Sequence, residues 1–189
     1  MSASGPGQAA RALLDVVKVL GESRIDYAVI GAMAAAVHGV MRASLDADAV
    51  MLVTDQELRE LQSKFIALGF TAELRRGDLE DPIPAILLLS DPYANKVDLL
   101  AGIRGLEKES FSRCIEVAFE GGPLRFIGLE DFIAMKVFAG GPTDLSDAGH
   151  AISVSFEQLD LPLLRRLALR FGKPTLRKCE ELLAENIEK

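Results

Sequence analysis

Tryptophan is absent from the 189-residue chain, and tyrosine, histidine and cysteine occur only twice each. The two cysteines, Cys114 and Cys179, lie far apart and form no CxxC spacing, which argues against a disulfide framework or a cysteine-based metal site and fits a reducing, cytoplasmic setting. No apolar run approaches the ~18–20 residues of a membrane-spanning helix, so no membrane association is expected. The opening "MSASGPGQAARALLDVV" lacks a basic segment followed by an apolar block and a cleavage site, so no secretion is expected. Basic excess is missing too: the net charge is −7, which opposes general nucleic-acid binding by phosphate neutralisation. An anionic substrate would therefore need a local cation or a bound metal.

What the chain does have is 49% hydrophobic residues, arranged in periods that change along its length. Ala9, Leu13, Val16, Val17 and Leu20 recur at helical spacing and predict a first helix over 8–21. Tyr27 to Ile30 then reads as a short strand, Gly31 as a turn, and the alanine-rich run to His38 as a helix. "DADAVMLV" is a second strand. Thr54 with Glu57 three residues later predicts a capping box, opening a helix whose buried stripe is Leu58, Leu61, Phe65 and Leu68, with Gly69 as its stop. Further strands are expected at 71–75, 85–89, 96–100, 113–119 and 124–127, the last two as a hairpin through Gly121, Gly122 and Pro123. From Leu129 the period is helical, with helices expected at 129–140, about 145–152, 161–171 and 175–187. The prediction is an α/β (α+β) fold: residues 1–128 form a mixed β-sheet core flanked by helices, and residues 129–189 a helical subdomain packed on it.

Asp46 and Asp48 carry the first chemical signal. Two apart on a strand, they point to one face with Cα atoms about 6.5 to 7 Å apart. Left unpaired they repel each other and resist burial, whereas together they can grip a hard divalent cation that also holds substrate phosphates. Asp98 interrupts the apolar run "NKVDLLAG"; beside Asp48 in a sheet it can deprotonate an attacking hydroxyl or join a second metal. Gly31, with no Cβ, lets a triphosphate approach the first amides of the following helix. Arg42, four residues before Asp46, can neutralise a phosphate.

Blander roles compete for several of these residues. Asp-x-Asp also ends solvated strands and serves metal-dependent glycosyltransferases. Lys136 can snorkel at a helix surface, and His38 can pack or cap. Asp144 and Asp147 open a helix, where acids favour the positive end of the dipole. Arg165, Arg166, Arg170, Lys173, Arg177 and Lys178 are interleaved with Glu180, Glu181 and Glu185, as on a solvated helical surface.

"YAVIGAMAAAVHGVMRASLDADAVMLV" resembles the opening of the nucleotidyltransferase superfamily, the DNA polymerase β-like fold, in which a hydrophobic residue, Gly and then Gly or Ser precede an Asp-x-Asp. More narrowly, "AVHGVMRASLDAD" and "FIGLEDFIAMKVFAGGPTDLSDAGHAI" resemble minimal nucleotidyltransferase-like proteins that include the AbiEii-type toxins of type IV toxin–antitoxin systems. The similarity covers roughly residues 24–152. It implies that Gly31 and Ala32 occupy the glycine motif, that Asp46, Asp48 and Asp98 are the catalytic, metal-binding carboxylates, and that Lys136 and Asp144 line the nucleotide pocket from the helical side. It implies Mg²⁺, as two ions, as cofactor, an NTP as substrate, an RNA or protein acceptor, and an antitoxin partner. Ala32 stands where relatives carry Gly or Ser, and Gly141 and Thr143 where many carry Arg and Lys. These departures keep open a catalytically weakened protein that binds a nucleotide or a partner.

Overall fold

The computed structural model describes residues 2–42, 44–119 and 121–187, so residues 188 and 189, the end of the expected helical half, lie outside the described residues. The first helix, α1 (Ala9–Glu22), buries Ala12, Leu13, Val16, Val19 and Leu20 along one stripe. Then follow β1 (Tyr27–Ile30), α2 (Gly31–Val37), β2 (Asp46–Met51), α3 (Asp55–Ala67), β3 (Thr71–Arg76), β4 (Ala85–Ser90), β5 (Lys96–Leu100), β6 (Ile115–Phe119) and β7 (Gly122–Phe126). The second half is α4 (Leu129–Ala139), α5 (Pro142–Ser155), α6 (Leu161–Arg170) and α7 (Lys173–Ile187).

Seven strands make one mixed sheet in the order β3-β4-β5-β2-β1-β7-β6. β2 runs parallel to β5 and β1 parallel to β7, while the remaining neighbours are antiparallel. Strand alternation gives this sheet two unlike faces. Ala49, Leu99 and Leu87 sit side by side on adjacent strands and are wholly buried, and α1 and α3 pack against these strands. The opposite face carries a polar row at the same level of the sheet: Ile30, Asp48, Asp98, Leu88 and Glu73 are successive cross-strand partners.

Thr54 makes the expected capping box with Glu57 at the start of α3. The stripe differs at its end: α3 stops at Ala67, Leu68 becomes the cap residue and is 61% exposed, and only Leu58, Leu61 and Phe65 are buried. Gly69, at φ +90°, turns the chain out of the helix there. Other boundaries also move. Gly122 and Pro123, expected in the hairpin turn, are the first residues of β7, paired with Phe119 and Ala118. Arg113 belongs to a 3-10 turn (Lys108–Arg113) rather than to β6, and α5 starts three residues early because Pro142 fits the first helical turn, where no N–H donor is needed. α4 is buried almost all round, from Asp131 to Val137, and packs against α5, α6 and α7, so it is the hub of the helical half.

Candidate active site

Asp46 and Asp48 sit on the polar face of β2, with Asp98 on β5 directly opposite Asp48 and Lys96 opposite Asp46. The two strands run in parallel and in register, and that pairing brings residues fifty apart in sequence to one spot. Burial raises the Asp48 pKa, and the negative charges of Asp98 and Asp46 push it further up, against the pull of Lys136 and Arg42. Asp98 is also raised, first by burial and then by Asp46, with Lys96 and Arg75 opposing. Among the described residues no basic side chain lies within ion-pair distance of any of the three carboxylates. Their repulsion is therefore offset only at a distance, by Lys136 and Arg42 for Asp48 and by Lys96 and Arg75 for Asp98.

Gly31 begins α2 at φ +65°, and a Cβ on it would overlap Oδ2 of Asp48 and lie 2.8 Å from its Cγ. Only glycine combines that backbone conformation with that close approach. Ala32 is buried at 3% exposure and does not line the cavity beside it.

That cavity, of about 330 Å³, lies between the polar sheet face and α4. Gly31, Arg42, Asp48, Lys136 and Asp144 supply its polar wall, while Ile83, Leu100, Ile103, Met135 and Phe138 supply an apolar one. A second depression of about 370 Å³ lies on the other side of the carboxylates, over β3, β4 and β5. Asp46 and Asp98 line it together with Glu73, Arg75, Ser90 and Lys96. The carboxylates thus form a ridge between two recesses, Asp48 facing one and Asp46 and Asp98 facing the other.

Lys136, from the last turn of α4, is buried, and its Nζ donates to Asp144 Oδ1 at 2.6 Å and meets Asp147 Oδ2 at 2.9 Å. Arg42 reaches the same Asp147 oxygen, Nε at 3.3 Å, from the connection between α2 and β2. The snorkelling alternative for Lys136 is thereby replaced by a buried ion-pair cluster. Asp147 also departs from its expected dipole role: it lies in the second turn of α5, 3% exposed, and Gly141 is the N-cap. The i, i+3 spacing of Asp144 and Asp147 signals a shared helix face, but only the packing of α4 on α5 reveals that the face points at a lysine. His38 takes the bland role, its Nε2 2.9 Å from the Ile127 carbonyl and its ring against Phe132. Arg165, Arg166, Arg170 and Lys178 are all paired with glutamates.

The donor chemistry fits a divalent cation: hard oxygen ligands, mutual repulsion and no protein counter-charge in contact. Among the described residues, however, no three acidic, histidine or cysteine side chains converge tightly enough to ligate an ion unaided. Strand spacing of about 4.8 Å across and 6.5–7 Å along the sheet keeps the three carboxylates apart, so an ion here would complete its shell with water or with oxygens of a bound ligand.

The model of a nucleotidyltransferase family of unknown function, DUF6036, matches residues 11–185. The chain belongs to that family. No curated protein sequence matches it significantly. Among solved structures, the solution structure of the antibiotic-resistance factor ANT(2″)-Ia is 15% identical, with 93% of this chain and 95% of that one covered and a TM-score of 0.57. A crystal structure of ANT(2″)-Ia in complex with adenylyl-2″-tobramycin is 16% identical over 93% and 95%, with a TM-score of 0.50. A putative nucleotidyltransferase of Thermotoga maritima is 16% identical over 82% and 97%, with a TM-score of 0.56. At these identities the likeness is one of fold, and it agrees with the mixed sheet and flanking helices described above. Among the described residues no helix is long and apolar enough to cross a membrane.

Proposed function

We propose that this DUF6036 protein transfers a nucleoside monophosphate from an NTP to an acceptor hydroxyl and releases pyrophosphate. The observation that carries the reading is the carboxylate ridge with a recess on either side, together with the family match. Asp46, Asp48 and Asp98 would hold Mg²⁺, two ions in the full site, and the bound metal would supply neutralisation of charge on the attacking and leaving oxygens.

The protein's own groups take the remaining roles. The cavity with both cationic and apolar walls suits a nucleotide. Its base packs against Ile83, Ile103, Met135 and Phe138, and its phosphates meet Lys136, Arg42 and the backbone of Gly31. Asp144 orients Lys136 through their 2.6 Å hydrogen bond. The acceptor enters the recess over β3, β4 and β5, where Asp98 takes the proton of its hydroxyl. The acceptor oxygen then attacks the α-phosphorus, and the bond to the bridging oxygen breaks as pyrophosphate departs with the electron pair.

The neighbour bound to adenylyl-2″-tobramycin supports nucleotidyl transfer as the reaction class. RNA, protein and small-molecule hydroxyls are the candidate acceptors, and an antitoxin partner follows if the chain is the toxin of a type IV pair. Incubation with Mg²⁺, each labelled NTP, and total tRNA or cell protein tests the reading. It predicts label transfer that is lost in Asp46→Ala, Asp48→Ala and Asp98→Ala and on chelation of the metal. Transfer that survives in all three variants would overturn it.

A further inference from the structure

We infer that Asp147 is a positioning residue that joins Lys136 and Arg42 into one anion-binding unit at the rim of the nucleotide cavity. The inference rests on the reading above and adds a residue that reading does not use. Asp147 lies on α5, Lys136 on α4 and Arg42 on the connection before β2, so one buried carboxylate ties together three separate segments.

Lys136 does not need Asp147 for neutrality, because Asp144 already accepts its hydrogen bond at 2.6 Å. Arg42 does need it. Among the described residues Asp147 is the one carboxylate within ion-pair distance of Arg42, whose side chain is 36% exposed on irregular backbone. Without that anchor a long, flexible cation would have to be ordered by the ligand itself. With it, the guanidinium is held near the carboxylate ridge before the phosphates arrive.

The geometry of Asp147 also differs from that of a carboxylate kept only for packing. Its Oδ2 is within 2.9 Å of Lys136 Nζ and 3.3 Å of Arg42 Nε, yet it is buried and makes no hydrogen bond of good geometry to either. Buried polar atoms are almost always satisfied, so this atom is held between two cations by their charges. Both cations keep donors free for another anion, five N–H groups on Arg42 and three on Lys136 being more than these contacts use.

The test is a double-mutant cycle read by binding of inorganic triphosphate with Mg²⁺, a probe that makes no demand on which base the cavity prefers. Asp147→Asn keeps the shape and removes the charge. It should weaken triphosphate about tenfold, the scale seen when an outer partner that orients a binding group is lost. Arg42→Gln should do the same, and the double variant should be no weaker than either single one, because both changes disable the same unit. Asp147→Glu should recover part of the affinity. A melting curve for each variant, together with undiminished binding capacity per mole of protein, separates this effect from unfolding.

Unchanged affinity in Asp147→Asn, strict additivity with Arg42→Gln, or tighter binding in Asp147→Asn would each overturn the inference. The last would mean that Asp147 competes with phosphate for the cations. If the wild-type protein binds no triphosphate, the proposed function falls and this inference with it. Binding that is lost in Asp46→Asn but unaffected in Asp147→Asn removes the inference alone.

Discussion

Gly31 leaves no room for a side chain, since a Cβ there would strike the Asp48 carboxylate from a backbone held at φ +65°. Gly31→Ala should therefore displace Asp48 and remove nucleotidyl transfer while the sheet stays intact, checked by activity alongside a circular-dichroism spectrum. Asp48 gives a prediction of opposite sign for stability. Its pKa is raised in the folded state, so its ionised form is disfavoured there, and the metal-free protein gains stability as pH falls from neutral through that raised pKa. Asp48→Asn should melt higher than wild type at neutral pH without metal. The gain should shrink as the pH is lowered, and activity should be absent throughout. Asp46, Asp48 and Gly31 are legible in the sequence because their spacing is local: a period of two on a strand, and a glycine between strand and helix. Asp147 is not legible, because its partners lie on other elements and nothing in "TDLSD" says what the helix faces.

β2 and β5 show why pairing decides what spacing only suggests. Their parallel register places Asp48 beside Asp98; a shift of one residue would turn Asp98 to the helix-covered face and bring Val97 and Leu99 out onto the polar one. Most elements can be read from period and turn chemistry, with Thr54 and Glu57 fixing the start of α3 and Gly69 its end. The errors fall at ends. Leu68 continues the stripe by spacing yet follows the last turn, and Pro142 draws α5 back to an earlier start. The order of strands in the sheet is not written in any local pattern, since it depends on crossovers between distant segments. α4 is the element on which the cavity most depends, as it carries Lys136 while burying Phe132 and Ile133 completely. Ile133→Ala should cost ~2–5 kcal/mol of unfolding free energy through lost burial and the cavity left behind, measured by denaturant titration.

The sheet and the helical half are braced by charges away from the cavity. Glu107, on the connection after β5, meets Arg113 at 3.0 Å, Arg166 of α6 at 2.8 Å and Arg170 at 3.3 Å, and Arg113 continues to Asp131 of α4 at 2.7 Å. The hydrogen bonds from Arg166, with those from Arg113, lower the Glu107 pKa to about 2. Its contribution is therefore present above the ordinary glutamate pKa and is lost as pH falls toward about 2. Glu107→Gln should lower the melting temperature at neutral pH by less than the ~3–5 kcal/mol of a fully buried pair would imply, because the arginines are partly exposed. The difference from wild type should vanish in acid, as for Asp48→Asn, but its sign at neutral pH is the opposite, a loss rather than a gain. At the scale of the whole molecule, the carboxylate ridge is proposed to bind a nucleoside triphosphate through a divalent cation. The decisive measurement is calorimetric titration of the wild-type protein and of Asp46→Asn/Asp48→Asn with each NTP, with and without Mg²⁺. The prediction is wild-type binding that requires Mg²⁺ and disappears in the double variant; no wild-type binding, or binding indifferent to both metal and variant, would contradict it.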